Sequence, residues 1–181
     1  MSIFNDFFHV KQSPILSMLG FGGGGTGTAL GGAVAAPVLY TITKSSSHDN
    51  WKEGNGLGHQ NCSGDDRTGV STASSTLVTM TLAVSPTIPT ITEFKLCLRT
   101  PNGTNIDYRF NGTGSFASTG VGGGGNTETV WDATSIAPST VSQLELRGGG
   151  GSGNTHVYVY YIKVNGVYFS GNSATTYTAT F

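Results

Sequence analysis

Charge is what this sequence has least of. Only 10% of its 181 residues are Asp, Glu, Lys or Arg, against roughly a quarter in an average soluble domain. Nine basic and ten acidic side chains leave a net charge of −1, and the basic ones are scattered. Phosphate backbones are held by clustered Lys and Arg, so nucleic acid is excluded as a partner on electrostatic grounds. Long apolar runs are missing too. A bilayer span needs about 20 continuous apolar residues, and no stretch of the chain supplies them. Cysteine is scarce, with Cys62 and Cys97 far apart and matching no metal-ligand spacing. They form either one disulfide or two free thiols. Helical periodicity is almost absent.

What is present is glycine, at 28 residues, with abundant serine and threonine. A surface of Ser, Thr, Asn and Gly in place of Lys and Glu is typical of extracellular or virion β proteins and less so of cytosolic enzymes. The first residues differ from the rest. Phe4, Phe7, Phe8 and Phe21 fall within a short apolar stretch, and exposed apolar side chains invite association. Ser2 to Phe8 suits a short helix with Ser2 as N-cap and Ile3, Phe4, Phe7 and Phe8 on one face. Pro14 turns the chain at Ser13, and Ile15, Leu16, Met18, Leu19 and Phe21 form a second apolar cluster. Two such patches suit docking along a groove of a partner. A membrane-surface helix would carry several Lys or Arg on its polar face, and Lys11 stands alone. Asp6 and Pro14 also fit no secretory signal, which points to synthesis in a cytoplasm without export.

Gly22 to Gly25, with Gly20, Gly27, Gly31 and Gly32 around them, cannot bury enough apolar surface to offset the entropy of ordering. Residues 22–36 therefore read as a linker. The expected organisation is an anchor at 1–21, the linker, and one β domain at 37–181. Burying the four phenylalanines and five aliphatic side chains of the anchor would contribute on the order of 10–20 kcal/mol gross, at about 1.5–3 kcal/mol each. Ordering the peptide offsets much of that, at about 1–2 kcal/mol per residue.

From Pro37 the pattern has period two. Val38 to Thr43 is a first strand, and Thr76 to Val84 a second, closed by Pro86 and Pro89. Along Thr92–Arg99, Phe94, Leu96 and Leu98 face one way and Glu93, Lys95, Cys97 and Arg99 the other. The Asn102-Gly103 turn then predicts a hairpin onto Ile106 to Phe110, with Ile106, Tyr108 and Phe110 on one face. Residues 111–126 read as an exposed loop, and Val130 to Asp132 as a short strand in which Trp131 plugs a core edge. Leu144 and Leu146 point inward from a strand at Gln143–Arg147. His156 to Val164 is a central strand rich in β-branched and aromatic residues. Asn165-Gly166 turns it onto Val167 to Phe169, and Thr175 to Phe181 is the last strand. Only Ser46 to Ser75 resists assignment. Six to eight strands with repeated turn signals predict an all-β, antiparallel β-sandwich, jelly-roll-like, preceded by the apolar arm and Gly-rich linker.

Chemistry-bearing clusters are few. Asp49, Glu53, Asp65 and Asp66 group loosely, without calcium-loop spacing, and His48 and His59 flank Trp51 without a metal motif. No paired carboxylates for glycoside cleavage can be nominated, and Gly122 to Asn126 lacks the Lys and helix of a phosphate loop. Neither a metal nor a cofactor is expected, nor catalysis. Tyr158, Tyr160 and Tyr161 offer either a stacking platform for sugar or ordinary core residues. Tyr158 and Tyr160 are the candidate glycan contacts. Ile3, Phe4, Phe7, Phe8, Ile15, Leu16, Met18, Leu19 and Phe21 are the candidate partner-docking residues.

Two stretches carry a family likeness. Phe8-His9-Val10-Lys11-Gln12-Ser13-Pro14-Ile15-Leu16-Ser17-Met18-Leu19-Gly20-Phe21, with the four glycines that follow, resembles the N-termini of structural proteins of marine tailed bacteriophages, especially those of cyanobacteria. Val130-Trp131-Asp132 through Gly148, followed by Val157 to Val167, is similar to the final strands of β-sandwich modules in such proteins. The resemblance covers roughly a third of the chain and implies a virion component. Its partners would be other capsid or tail proteins and copies of itself, in a symmetric oligomer such as a trimer. The role would be tail fibre, appendage or capsid decoration, with host-surface glycan a further ligand. The alternatives are a carbohydrate-binding β-sandwich module and a polysaccharide-degrading enzyme.

Overall fold

The computed structural model describes residues 36–47, 57, 62, 67–72, 77–101, 105–122, 127–148, 155–171 and 176–181. The chain divides into two units, Met1–Ala36 and Pro37–Phe181, and the description concerns the second. The helix expected at Ser2 to Phe8, both apolar patches and the Gly-rich linker up to residue 35 lie outside the described residues.

The described residues form eleven strands: β1 (Leu39–Ser46), β2 (Thr68–Thr72), β3 (Val78–Ile88), β4 (Phe94–Arg99), β5 (Asp107–Phe110), β6 (Ala117–Ser118), β7 (Thr129–Asp132), β8 (Val141–Gly148), β9 (Thr155–Val164), β10 (Val167–Tyr168) and β11 (Thr176–Thr180). They form two antiparallel sheets, one ordered β11-β1-β3-β8-β5-β6 and the other β10-β9-β4-β7, with β2 also on β9. Alternation places Tyr40, Ile42, Met80, Leu82, Leu144 and Leu146 of the first sheet against Leu96, Leu98, Val157, Val159 and Ile162 of the second, all buried in one core. β9 is central as expected, with β4 on one side and β2 and β10 on the other.

The hairpin expected from β4 to β5 is not formed. β4 pairs with β7 and β9, while β5 pairs with β6 and β8 in the opposite sheet. Leu96, Leu98 and Phe110 still face a common core, but across it: the Phe94 and Phe110 rings meet edge to face at 5.5 Å between centroids. The connection from Arg99 to Asp107 is too long for a two-residue hairpin turn, and it joins a strand of one sheet to a strand of the other. Nearly every connection between the described strands crosses in this way; among them β5–β6 and β9–β10 alone join sequence neighbours within one sheet. Asn165 at φ 49° and Gly166 at φ 86° make the β9–β10 turn, where both central residues need positive φ. β3 also departs from expectation, since it runs through Pro86 to Ile88. Its ladder to β8 is irregular between Ala83 and Ile88, where a missing N–H costs no ladder bond. Within the expected loop 111–126, β6 and the buried Val121 are ordered parts of the sandwich.

Crossing connections leave register to be set by something other than hairpin turns. Asn165 supplies part of it. Its Oδ1 accepts from the backbone N–H of Thr92 and of Glu93 at 2.7 and 3.2 Å, and its Nδ2 donates to the Thr90 carbonyl at 2.7 Å. Asn111, at φ 53°, repeats this on the other sheet. Its Oδ1 accepts from the N–H of Ser142 and of Gln143 at 2.9 and 3.3 Å, and its Nδ2 donates to the Thr140 carbonyl at 2.9 Å. The sequences match at these points: Thr90-Ile91-Thr92-Glu93-Phe94 against Thr140-Val141-Ser142-Gln143-Leu144, and Phe110-Asn111-Gly112 against Val164-Asn165-Gly166. β4 to β5 and β8 to β9 are thus two similar arches, each crossing between sheets. The last strand of each is fastened to the first strand of the other.

Replacing Asn111 or Asn165 by Gly keeps the positive φ and removes only the clasp. Each substitution should cost about 1–2 kcal/mol of stability in urea unfolding, and Ala should cost more because it adds strain at positive φ. The two clasps share no partner, so the double Gly variant should show the sum of the single losses.

Candidate functional site

The outer face of the β4–β9 sheet is built by an irregularity in β9. Cys97 pairs with Tyr161 and Leu98 with Val159, so Tyr160 is an extra residue and the pattern slips by one. Tyr158, Tyr160 and Tyr161 therefore share the outer face, while Val157, Val159 and Ile162 remain inside. The three tyrosines pack with Cys97 into a second apolar cluster, joined by Cys62 and Tyr168. Cys62 and Cys97 form a disulfide, with their Cα atoms 5.6 Å apart. This resolves the choice the sequence left open.

The sugar platform expected at Tyr158 and Tyr160 is not an open surface. Tyr160 is 0% exposed and Tyr158 9%. The Tyr160 hydroxyl donates to Glu128 Oε1 at 3.2 Å and accepts from Arg99 Nη1 at 3.2 Å, and Arg99 Nη1 also binds Glu128 at 3.0 Å. The Tyr158 ring lies over Gly69, where any Cβ would collide with it. It also stacks with His156 at 5.3 Å and carries the Arg67 guanidinium at 5.1 Å. These aromatic residues serve as a covered layer on the sheet, and the slip at Tyr160 is what sequence alternation could not reveal.

Charges on the described surface are paired. Lys95 bridges Glu93 and Asp132 at 3.2 and 3.4 Å, and Lys163 holds Glu93 at 3.0 Å. On the other sheet Arg109 grips Glu145 through two hydrogen bonds, and Arg147 holds Asp107 at 2.9 Å. Both guanidiniums lie on the Phe116 ring, at 4.5 and 4.0 Å from its centroid. Each described carboxylate thus has a cation. Lys44 points inward from β1 and donates to Thr68 at 2.6 Å and Tyr177 at 3.2 Å, linking the two sheets through the core. The sequence offered no sign of this buried lysine beyond its even spacing with Tyr40 and Ile42.

The sides of the sandwich differ. On one, Ser170 and Thr178 exchange backbone hydrogen bonds and Leu57 pairs with Gly171. Phe181 stacks on Tyr40 at 4.4 Å there. On the other, the sheets end at β6 and β7, and Trp131 fills the gap against Tyr108 at 4.8 Å and Phe110 at 6.4 Å. Trp131 is buried, as its expected plugging role requires. A cavity of about 290 Å³ opens beside Tyr108 and Phe110 on this second side.

Among the described residues no group of His, Cys, Asp or Glu is arranged to hold a metal, and no helix is long and apolar enough to cross a membrane. The Asp49, Glu53, Asp65 and Asp66 group, His48 and His59, and all nine candidate docking residues from Ile3 to Phe21 lie outside the described residues. No protein-family model matches the chain, and no curated protein matches it.

Three of these carboxyls are held below their ordinary values. For Glu93 the hydrogen bond from Lys163 is the main cause. Asp132 is lowered chiefly by hydrogen bonds from the Thr134 side chain and backbone. Burial would raise Glu128, but hydrogen bonds from its own N–H and from Tyr160, with the Arg99 charge, outweigh it. The folded state therefore gives up these protons at lower pH than the unfolded chain, so the stability they supply is complete above the ordinary range and is lost as pH falls from that range through the lowered folded values. Urea midpoints should hold steady near neutrality and drop below the ordinary glutamate value of 4.5. Glu128→Gln should flatten part of that drop; an unchanged acid profile would remove Glu128 from the account.

Proposed function

We propose that this chain is a structural protein of a tailed-bacteriophage virion, in which residues 1–21 dock to a capsid or tail protein and the β-sandwich projects outward as an appendage or decoration. The observation that carries the reading is the division of the chain. Pro37–Phe181 is a unit of its own, and the residues before it hold Phe4, Phe7, Phe8 and Phe21 with little charge. Such a segment gains from burial in a partner at about 1.5–3 kcal/mol per large side chain. Repetition of the contact around a symmetric oligomer, such as a trimer, would multiply weak docking into firm attachment.

The surface supports the same reading. Charges cancel pairwise, and the outward residues of β1 and β11 include Thr41, Thr43, Thr178 and Thr180. No described carboxylate stands apart from a cation to serve as general acid or base, which favours a scaffold over a polysaccharide-degrading enzyme. A disulfide persists most readily outside a reducing cytosol, which suits a virion exposed to the medium after release from the cytoplasm where it is made. One observation favours an added carbohydrate-binding role on host-surface glycan, namely the cavity beside Tyr108.

Replacing Phe4, Phe7 and Phe8 together by Ser in the full chain should leave the thermal unfolding of the sandwich unchanged. Incorporation into particles assembled with the other virion proteins should be lost. Normal incorporation of that variant would sink the anchor reading.

A further inference from the structure

We infer that the cavity on the open side of the sandwich is a binding site for one ring of a neutral saccharide. This deepens the glycan-binding role and is independent of the N-terminal arm. The cavity arises where the pairing of β6 with β5 stops at Tyr108 and Ala117, leaving the β5 edge beyond it uncovered. It is lined by the rings of Tyr108 and Phe110 and by the apolar Ile136 and Pro138. Tyr108 is part-exposed and braced from behind by Trp131 and Phe110. Its hydroxyl makes no hydrogen bond among the described residues. An aromatic ring with a free hydroxyl, held rigidly at an opening, suits the C–H face and hydroxyls of a pyranose.

The rim supplies the polar complement. Ser115 is exposed and its hydroxyl is likewise uncommitted, and Thr113 stands next to it with its N–H and hydroxyl turned onto the Phe110 carbonyl. The rim is preorganised, because Asn111 is clasped to Thr140, Ser142 and Gln143 and Thr119 ties the far end of the loop to the Ile106 carbonyl at 2.6 Å. A site whose walls are fixed before binding loses less entropy on binding.

Size and charge select the occupant. At about 290 Å³ the cavity sits at the lower end of small-molecule sites, about 300 Å³ and upward, so it takes one ring and not a folded partner. The uncovered β5 edge is too short to template an added peptide strand, which needs several residues of ladder. Among the described residues Arg109 is the one charged side chain lining the cavity, and Glu145 neutralises it through two hydrogen bonds. An acidic sugar therefore finds no free cation there.

The test is ligand-detected saturation-transfer NMR, with titration, on the full chain. The probes are the methyl pyranosides of glucose, galactose, mannose and N-acetylglucosamine. At least one should bind saturably, with transfer strongest at its ring protons. Ser115→Trp, which fills the mouth from an exposed loop position, should weaken binding by about tenfold or more. Tyr108→Phe, which deletes only the hydroxyl, should weaken it by about three- to tenfold. Both variants should unfold at the wild-type temperature. Binding that both variants leave intact would overturn this site while leaving a glycan-binding role elsewhere. Failure of all four probes would overturn the site and the glycan role together.

Discussion

The reciprocal fastening of two β-arches, Asn111 on Thr140–Gln143 and Asn165 on Thr90–Glu93, is the constraint on which the rest of this sandwich depends. In a meander each tight turn fixes the register of the strands it joins. Here almost every connection crosses between sheets, so loop length leaves register loose, and a slip of one residue would turn each core side chain to solvent. Each asparagine answers that by binding two N–H groups and one carbonyl at the entry to its neighbouring strand. β4 is thereby placed against β9, and β8 against β5. The same placement sets Phe94 on Phe110 across the core. Trp131 then stacks against Tyr108 and Phe110 at the open side.

With the core so registered, the two outer faces have different tasks. The β1–β11 region carries threonines, which fit a pleated surface and bring hydroxyls without charge. The β4–β9 face instead carries an apolar layer of tyrosines pinned by the Cys62–Cys97 disulfide. An apolar outer face on an exposed sheet is an association hazard, and burial of Tyr160 together with its bonds to Arg99 and Glu128 removes it. Pairing of the surface charges has a related effect. Few charges on the described surface are left unpaired to repel a neighbouring molecule, in keeping with the virion role proposed above.

Much of this was legible in the sequence, and the failures have a common cause. Period-two alternation correctly set which residues of β4, β5 and β8 face the core, because pleating forces that pattern in either sheet. It could not say which strand lies beside which. Phe94, Leu96 and Leu98 facing Ile106 and Phe110 look the same from sequence whether the strands are paired or stacked across a core. The Asn102-Gly103 signal therefore misled, whereas Asn165-Gly166, with two residues between strands, did not. Tyr158 and Tyr160 misled for another reason: exposure of an outer-face aromatic depends on what covers it, which local sequence does not record. The matched segments around Thr90 and Thr140 were visible all along, but they acquire meaning only when the clasps show each Asn-Gly serving the other arch. The cavity had no signal, since it is made by where β6 stops.

That last point bears on why an accessible site should occupy the open side. Ser170 and Thr178 stitch the sheets together on the closed side, and behind them Phe181 stacks on Tyr40 and meets Phe169 edge to face. On the open side the sheets are joined by aromatic packing, which tolerates a gap that a hydrogen-bonded ladder would not. A two-residue β6 also protects the edge from added strands while leaving Tyr108 within reach of solvent. The shortness of that strand thus does two things at once: it limits edge-to-edge association, and it leaves an aromatic side chain, rigidly backed by Trp131, beside a notch. Lengthening β6 toward Ser115 would pair the free β5 edge and close that notch.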